Sequence, residues 1–279
     1  MIELKTQPLR LSQRCIFVVL QIFFLVHLHT NISFAKPAAL NETKFLSFEK
    51  TAIIGHLNFP PMIYADESGE SAGPVADLIR LILDTYKIYP EYKLVTLPTK
   101  RIITYLIEGK IPFSPLIQGI PALKDKVIYS DSIILTLQIN IYYIGEEENI
   151  RDLSGLKGKR VIGLRGYSYG GRIRSFIDDP ANKVIYYLCN THQSGFRMLQ
   201  SGRGDYLIDF QSPSEIVLKQ RKIDNLHCIG LETIDVYFNI SKNIPDYLKL
   251  KKQLDLALGA LHEQGKLNHL IHERKCLNK

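Results

Sequence analysis

Two hydrophobic periodicities take turns along this chain, and their alternation constrains the fold more than any single motif does. Short runs rich in β-branched and aromatic residues read as strands: KTAIIGHL (50–57), YKLVTL (92–97), RVIGL (160–164), KVIYYL (183–188), DYLID (205–209) and TIDVYFNIS (233–241). Between them lie segments of helical spacing. GPVADLIRLILDTYKI places Val75, Leu78, Ile79, Ile82 and Leu83 on one helical face, and Gly73-Pro74 supplies its start signal. TKRIITYLIEGK is a second helix closed by Gly109, and GRIRSFIDD, HQSGFRMLQSGRG and SPSEIVLKQ are three more. A long amphipathic helix from about Asp246 to Glu273 ends the chain. Midway, DKVIYSDSIILTLQINIYYI is strand-rich and leads into the polar turn GEEENIRDLSGLKGK. Short strands separated by helices predict an α/β protein with mostly parallel sheets covered on both faces.

The first 35 residues read as an address rather than as part of that fold. Lys5, Arg10 and Arg14 form a basic start, CIFVVLQIFFLV an apolar core, and Ser33-Phe34-Ala35 a small-residue cleavage site before Lys36. The apolar run is short for a membrane span, and polar His27, His29, Thr30 and Asn31 follow it. A cleaved signal peptide over 1–35 is therefore expected, with an uncleaved anchor as the alternative. The 244 residues that remain suit two lobes better than one large one.

The signal carries three of the 35 basic and one of the 28 acidic residues, so its removal leaves an excess of five positive charges. That excess is modest, spread along the chain and not interleaved with aromatics, which excludes a nucleic-acid footprint. Export implies an oxidising compartment for Cys189, Cys228 and Cys276. Cys189–Cys228 is the favoured pair, with three free thiols as the alternative. No cysteine or histidine spacing matches a metal site, and His262, His269 and His272 read as a solvated helix face. Neither a metal nor a cofactor is expected.

One motif poses a chemical question. Gly166-Tyr167-Ser168-Tyr169-Gly170 is a literal G-x-S-x-G between a strand and a helix, the setting of a hydrolase nucleophile elbow. It is equally the setting of a loop that holds a polar ligand at a helix N-terminus. A hydrolase needs a histidine and an oriented carboxylate, and Asp209 with His227 or His262 has a compatible order. No glycine-rich oxyanion loop precedes Ser168, which favours the holding role, with Tyr167 and Tyr169 as pocket walls.

Four stretches, in order, resemble the family 3 extracellular solute-binding proteins, which have the type II periplasmic binding fold. GHLNFPPMIYADESGESAGPVADLIRLI is similar to the family's opening strand, aromatic-proline loop, glycine hairpin and helix. SGLKGKRVIGLRGYSYG resembles its passage into the second lobe, LQSGRGDYLID its "L-x-x-GR-x-D" helix end and strand, and VYFNISKNIPDYLKLKKQLDLALGALHEQGKLNHLI its return to the first lobe. The resemblance spans about Lys50 to Glu273. It implies a two-lobed chain, with lobe 1 from 36–137 and 235–279, lobe 2 from 138–234, and hinges near TLQINIYY and TIDVYFNI. Ligand would sit in the cleft between the lobes and be enclosed by hinge motion.

The resemblance also implies site residues. Phe59 matches the cleft aromatic that covers the ligand, Arg101 offers a guanidinium fork, and Gln118 with Gly119 lies where hydroxyl and backbone groups meet the ligand. Asp209 lies at or one residue from the lobe 2 acid that pairs with a ligand ammonium. Amino-acid binders usually carry a carboxylate-clamping Arg in "T-x-x-R"; here that position falls on Leu123 or Lys124. The first-lobe Asp expected after EGKI is replaced by Pro112. An ordinary α-amino acid is thus disfavoured. The expected function is a periplasmic, monomeric solute-binding protein that captures a small polar metabolite for an ABC-type importer and performs no catalysis. A ligand sensor or accessory subunit signalling to a membrane partner, and a secreted enzyme using Ser168, are the alternatives.

Overall fold

A computed structural model describes residues 51–146, 150, 152–167 and 169–271, except for the side chains of residues 269 and 271. The expected signal peptide and its cleavage site, Ser168, Cys15 and Cys276 lie outside the described residues. The first half contains β1 (Ala52–His56), β2 (Tyr64–Ala65), β3 (Ser71–Ala72), α1 (Pro74–Tyr86), β4 (Tyr92–Thr96), α2 (Thr99–Glu108), β5 (Phe113–Ile117), β6 (Val127–Tyr129) and β7 (Leu135–Ile144). The second contains β8 (Arg160–Leu164), α3 (Gly170–Asp178), β9 (Ile185–Cys189), α4 (His192–Gln200), β10 (Tyr206–Phe210), α5 (Gln211–Gln220), β11 (Leu226–Ser241), α6 (Tyr247–Glu263) and α7 (Asn268–Ile271).

The helix-connected strands pair in parallel: β1 with β4, and β8 with both β9 and β10. Antiparallel pairing enters where β7 and β11 cross the molecule. Those two strands share a ladder running from Leu226 opposite Ile144 to Val236 opposite Leu135, with a bulge between Gly230 and Glu232. Beyond that ladder, the C-terminal end of β11 pairs with β5 and β6, while the other edge of β7 holds β10. The resulting order is β5-β11-β7-β10-β8-β9. Two strands therefore carry the chain between the strand groups at either end, and the segments expected as hinges are direct ladder neighbours, with Leu137 opposite Ile234.

Packing follows the sequence pattern. All five residues of the expected α1 face are buried, as are Leu250, Leu254, Leu258 and Leu261 on α6, which packs against α1. A separate core under β8, β10 and α4 joins Ile162, Leu164, Phe196, Leu199 and Leu207. Gly73 opens α1 with φ at +100°; a Cβ there would lie 2.6 Å from the carbonyl oxygens of both Pro61 and Met62, so only glycine fits. This close approach presses the loop carrying Phe59 and Met62 onto the start of α1.

Two expectations need correction. The terminal helix is not continuous: α6 ends at Glu263, Gly265 takes a left-handed φ of +68°, and its N–H donates to the His262 carbonyl at 2.8 Å, closing the helix before α7. Cys189 and Cys228 are not joined. Cys189 is a buried free thiol on β9 that donates to the Gly163 carbonyl at 3.4 Å, and Cys228, on β11, is disulfide-bonded to a cysteine outside the described residues. The sheet order explains this: β7, β10 and β8 lie between the two cysteines, so four strand spacings of about 4.8 Å separate them, against a Cα separation of at most about 7 Å for a disulfide.

Candidate functional site: an aromatic-walled cavity between the lobes

The strand ends on either side of β7 and β11 converge on one cavity of about 90 Å³. From the first-half strands come Phe59, Met62 and Ile63 in the loop after β1, Thr99 at the start of α2, and Leu116 and Ile117 at the end of β5. The crossing strands contribute Leu135, Leu137 and Val236. The opposite wall consists of Gly166, Tyr167 and Tyr169 in the loop after β8, and Phe210 at the end of β10.

The described residues of the G-x-S-x-G loop share an unusual backbone conformation. Gly166, Tyr169 and Gly170 all take positive φ, at 88°, 51° and 75°. That turns Tyr169 back beneath β8, where its hydroxyl accepts the Leu164 N–H at 2.8 Å and its ring is buried. Tyr167 then lies against the cavity. Burial, with the Asp209 charge adding to it, pushes both phenols well above their usual range, so both remain neutral at any physiological pH.

Four rings meet across the cleft. Phe59 stands edge-on to Phe210 at 5.3 Å between centroids and to Tyr167 at 6.2 Å. Tyr167 and Tyr169 each lie 5.5 Å from Phe210. Behind this wall, Asp209 is fully buried on β10. Its carboxylate accepts from His192 Nδ1 at 2.8 and 2.9 Å and from the Phe210 amide at 2.8 Å. His192 opens α4 and lies 5.8 Å from the Tyr167 ring.

Of the residues singled out by sequence, the structure brings Phe59, Tyr167 and Tyr169 together. Asp209 sits immediately behind the wall, committed to His192. Gln118 is exposed and lines a rim groove with Gly171, Arg174 and Asp178 instead. Arg101 is exposed on α2, and Lys124 is exposed after the turn at 121–123, so neither lines the cavity. Leu123 is buried in the core beside Ile102 and Leu106. Ser168 lies outside the described residues. The histidine that meets Asp209 is His192; His227 instead stacks on Tyr143 at 5.2 Å, and His262 is exposed on α6.

Sequence reasoning missed Phe210 and His192. Phe210 directly follows Asp209 in DYLIDF, and the one-residue ambiguity in placing the acid was the available signal: strand alternation turns Phe210 toward the cavity and Asp209 away. Nothing in the local sequence marked His192.

No protein-family model matches this chain, and no curated protein does. Solved structures do. An ancestral arginine-binding protein bound to arginine is 21% identical, with a TM-score of 0.63, covering 79% of this chain and 96% of its own. A histidine kinase sensor domain with similarity to periplasmic binding proteins reaches a TM-score of 0.66 at 15% identity, covering 80% and 94%. An ancestral amino acid-binding protein, a precursor of cyclohexadienyl dehydratase, reaches 0.62 at 19% identity, covering 79% and 92%. At these identities the likeness establishes the fold: this chain has the two-lobed α/β fold of the type II periplasmic binding proteins.

Proposed function

We propose that this protein is an exported solute-binding protein that encloses a small molecule between its lobes and presents it to a membrane importer. The observation carrying this reading is the contact of Phe59 with Tyr167 and Phe210 around a cavity that neither strand group completes alone. The lobes divide as 36–137 with 235–279, and 138–234, with the hinge in the paired strands β7 and β11. The chain acts as a monomer in the periplasm. In this reading the protein binds without catalysis, which the two neutral phenols among the described cavity residues support.

A metabolite screen by thermal unfolding of residues 36–279 tests the reading. A ligand present at 100 times its dissociation constant should add about 2.7 kcal/mol of stability, and Phe59→Ala should abolish that gain. A stabilising ligand indifferent to Phe59→Ala, or one consumed on incubation, would overturn it. The likeness to a kinase sensor domain supports signalling to a membrane partner as the second reading. Both readings use the same cavity, and the genes neighbouring the coding sequence separate them.

A further inference from the structure

Resting on that reading, we infer that the ligand presents an uncharged, apolar body to the cavity, such as a single ring or a branched aliphatic chain, and is not a zwitterionic amino acid.

Every wall contributes to this conclusion. Among the described residues lining the cavity none is charged; apart from Thr99, Tyr167, Tyr169 and the backbone, all the lining groups are hydrocarbon or thioether. A buried charge without a partner is strongly disfavoured. A zwitterion's ammonium and carboxylate each call for an opposite charge or strong hydrogen-bond partners, and the charged side chains nearest in sequence do not supply them. Phe210 faces the cavity while Asp209 spends its oxygens on His192 and the Phe210 amide. On the other lobe, Leu123 is buried in the core and Lys124 and Arg101 point to solvent.

The rings also argue against a cationic ligand. Aromatic cages bind quaternary ammonium when the rings surround an open space. Here Phe59, Tyr167, Tyr169 and Phe210 pack against one another at 5.3–6.2 Å between centroids rather than around an open space, so their faces are taken up by each other. What the rings offer is edge contact to an apolar body inserted beside them. Size limits the body to a small one. A cavity of about 90 Å³ is smaller than the roughly 150 Å³ that accommodates benzene, so a ring enters by parting Phe59 slightly from Phe210. The hydroxyls of Thr99 and Tyr167 suit one neutral polar group on the ligand.

Calorimetric titration of the mature protein with paired probes tests the inference. Indole and 3-methylbutan-1-ol are the neutral probes; L-tryptophan and L-leucine are their zwitterionic counterparts, with L-arginine and L-glutamate as fully charged controls. Each neutral probe should bind at least tenfold more tightly than its counterpart, and Phe210→Asp should narrow or reverse that ratio by supplying a wall carboxylate. The wild-type comparison stands even if that variant does not fold. An amino acid binding more tightly than its neutral counterpart, with its affinity lost in Phe59→Ala, would overturn the ligand class and leave the solute-binding reading intact. No binding by either neutral probe at millimolar concentration also overturns the ligand class. Neutral binding that is indifferent to Phe59→Ala would instead remove the cavity, and with it the proposed function.

Discussion

The His192–Asp209 pair holds the position of the cavity's back wall, and a double-mutant cycle measures how strongly. Asp209 is fully buried and the His192 side chain is 16% exposed. His192 Nδ1–H reaches both carboxylate oxygens, at 2.9 and 2.8 Å, and the Phe210 amide supplies a third donor at 2.8 Å. His192→Ala removes the side-chain donor and leaves a buried carboxylate with a single amide. Removing one partner of a buried pair costs roughly 3–5 kcal/mol; the partial exposure of His192 admits some water, so about 3 kcal/mol is expected. In a chain of this size that corresponds to a fall of about 6–12 °C in Tm. Asp209→Asn keeps an acceptor for the Phe210 amide and removes the charge, so it should cost less. With Asn in place there is no charge left to strand, and His192→Ala should then cost little. The cycle should give a coupling of at least about 1.5 kcal/mol, read by urea unfolding at pH 7. Additivity within about 0.5 kcal/mol would mean that the two side chains do not depend on each other, and the account of Asp209 as a committed wall support would fail.

Other outcomes follow from single features. Gly73→Ala forces a Cβ into two backbone carbonyls at 2.6 Å; it should cost at least about 2 kcal/mol and weaken ligand binding through the loop bearing Phe59, whereas an unchanged unfolding midpoint would refute the close approach. His56 is buried, with Nδ1 on the Leu57 carbonyl at 2.8 Å and Nε2 on Ser71 Oγ at 2.6 Å, and burial holds its pKa below the usual 6.5. The unfolded chain therefore takes up a proton that the folded chain refuses: stability should be full above about pH 6.5 and fall as the pH drops through it. His56→Gln should flatten that slope between pH 7.5 and 5.5, and an identical slope would refute the assignment. Non-reducing peptide mapping of the secreted protein should link Cys228 to Cys276, the cysteine left once the signal is removed and Cys189 is free; a Cys189–Cys228 peptide would contradict the sheet order.

Much of the fold was legible because it is written in local periodicity. The α1 face from Val75 to Leu83, the glycine stops, and the strands RVIGL, KVIYYL and DYLID needed only the chain's own spacing. Elements whose stability comes from distant partners were harder to read. β5, in IPFSPLI, contains a proline and earns its place only by pairing with β11, and β11 itself begins at Leu226, seven residues before its apolar pattern becomes regular, because β7 supplies the ladder. The cysteine pairing failed for the same reason: Cys189 and Cys228 are close in sequence, but three strands separate them.

The site shows where reading by resemblance stops. Phe59, Tyr167 and Tyr169 meet around one cavity, because aromatic and glycine positions are fixed by loop geometry, which a shared fold preserves. The charged candidates were assigned by position alone, and position does not reveal which way a side chain faces. One step along β10 exchanges Asp209 for Phe210 at the cavity wall, and one step after Ile120-Pro121 decides whether Leu123 or Lys124 points inward. Both steps went to the hydrocarbon side chain: Phe210 faces the cavity and Leu123 the core. At both positions a hydrocarbon side chain stands inward where the resemblance implies a charge, and the described cavity lining carries none.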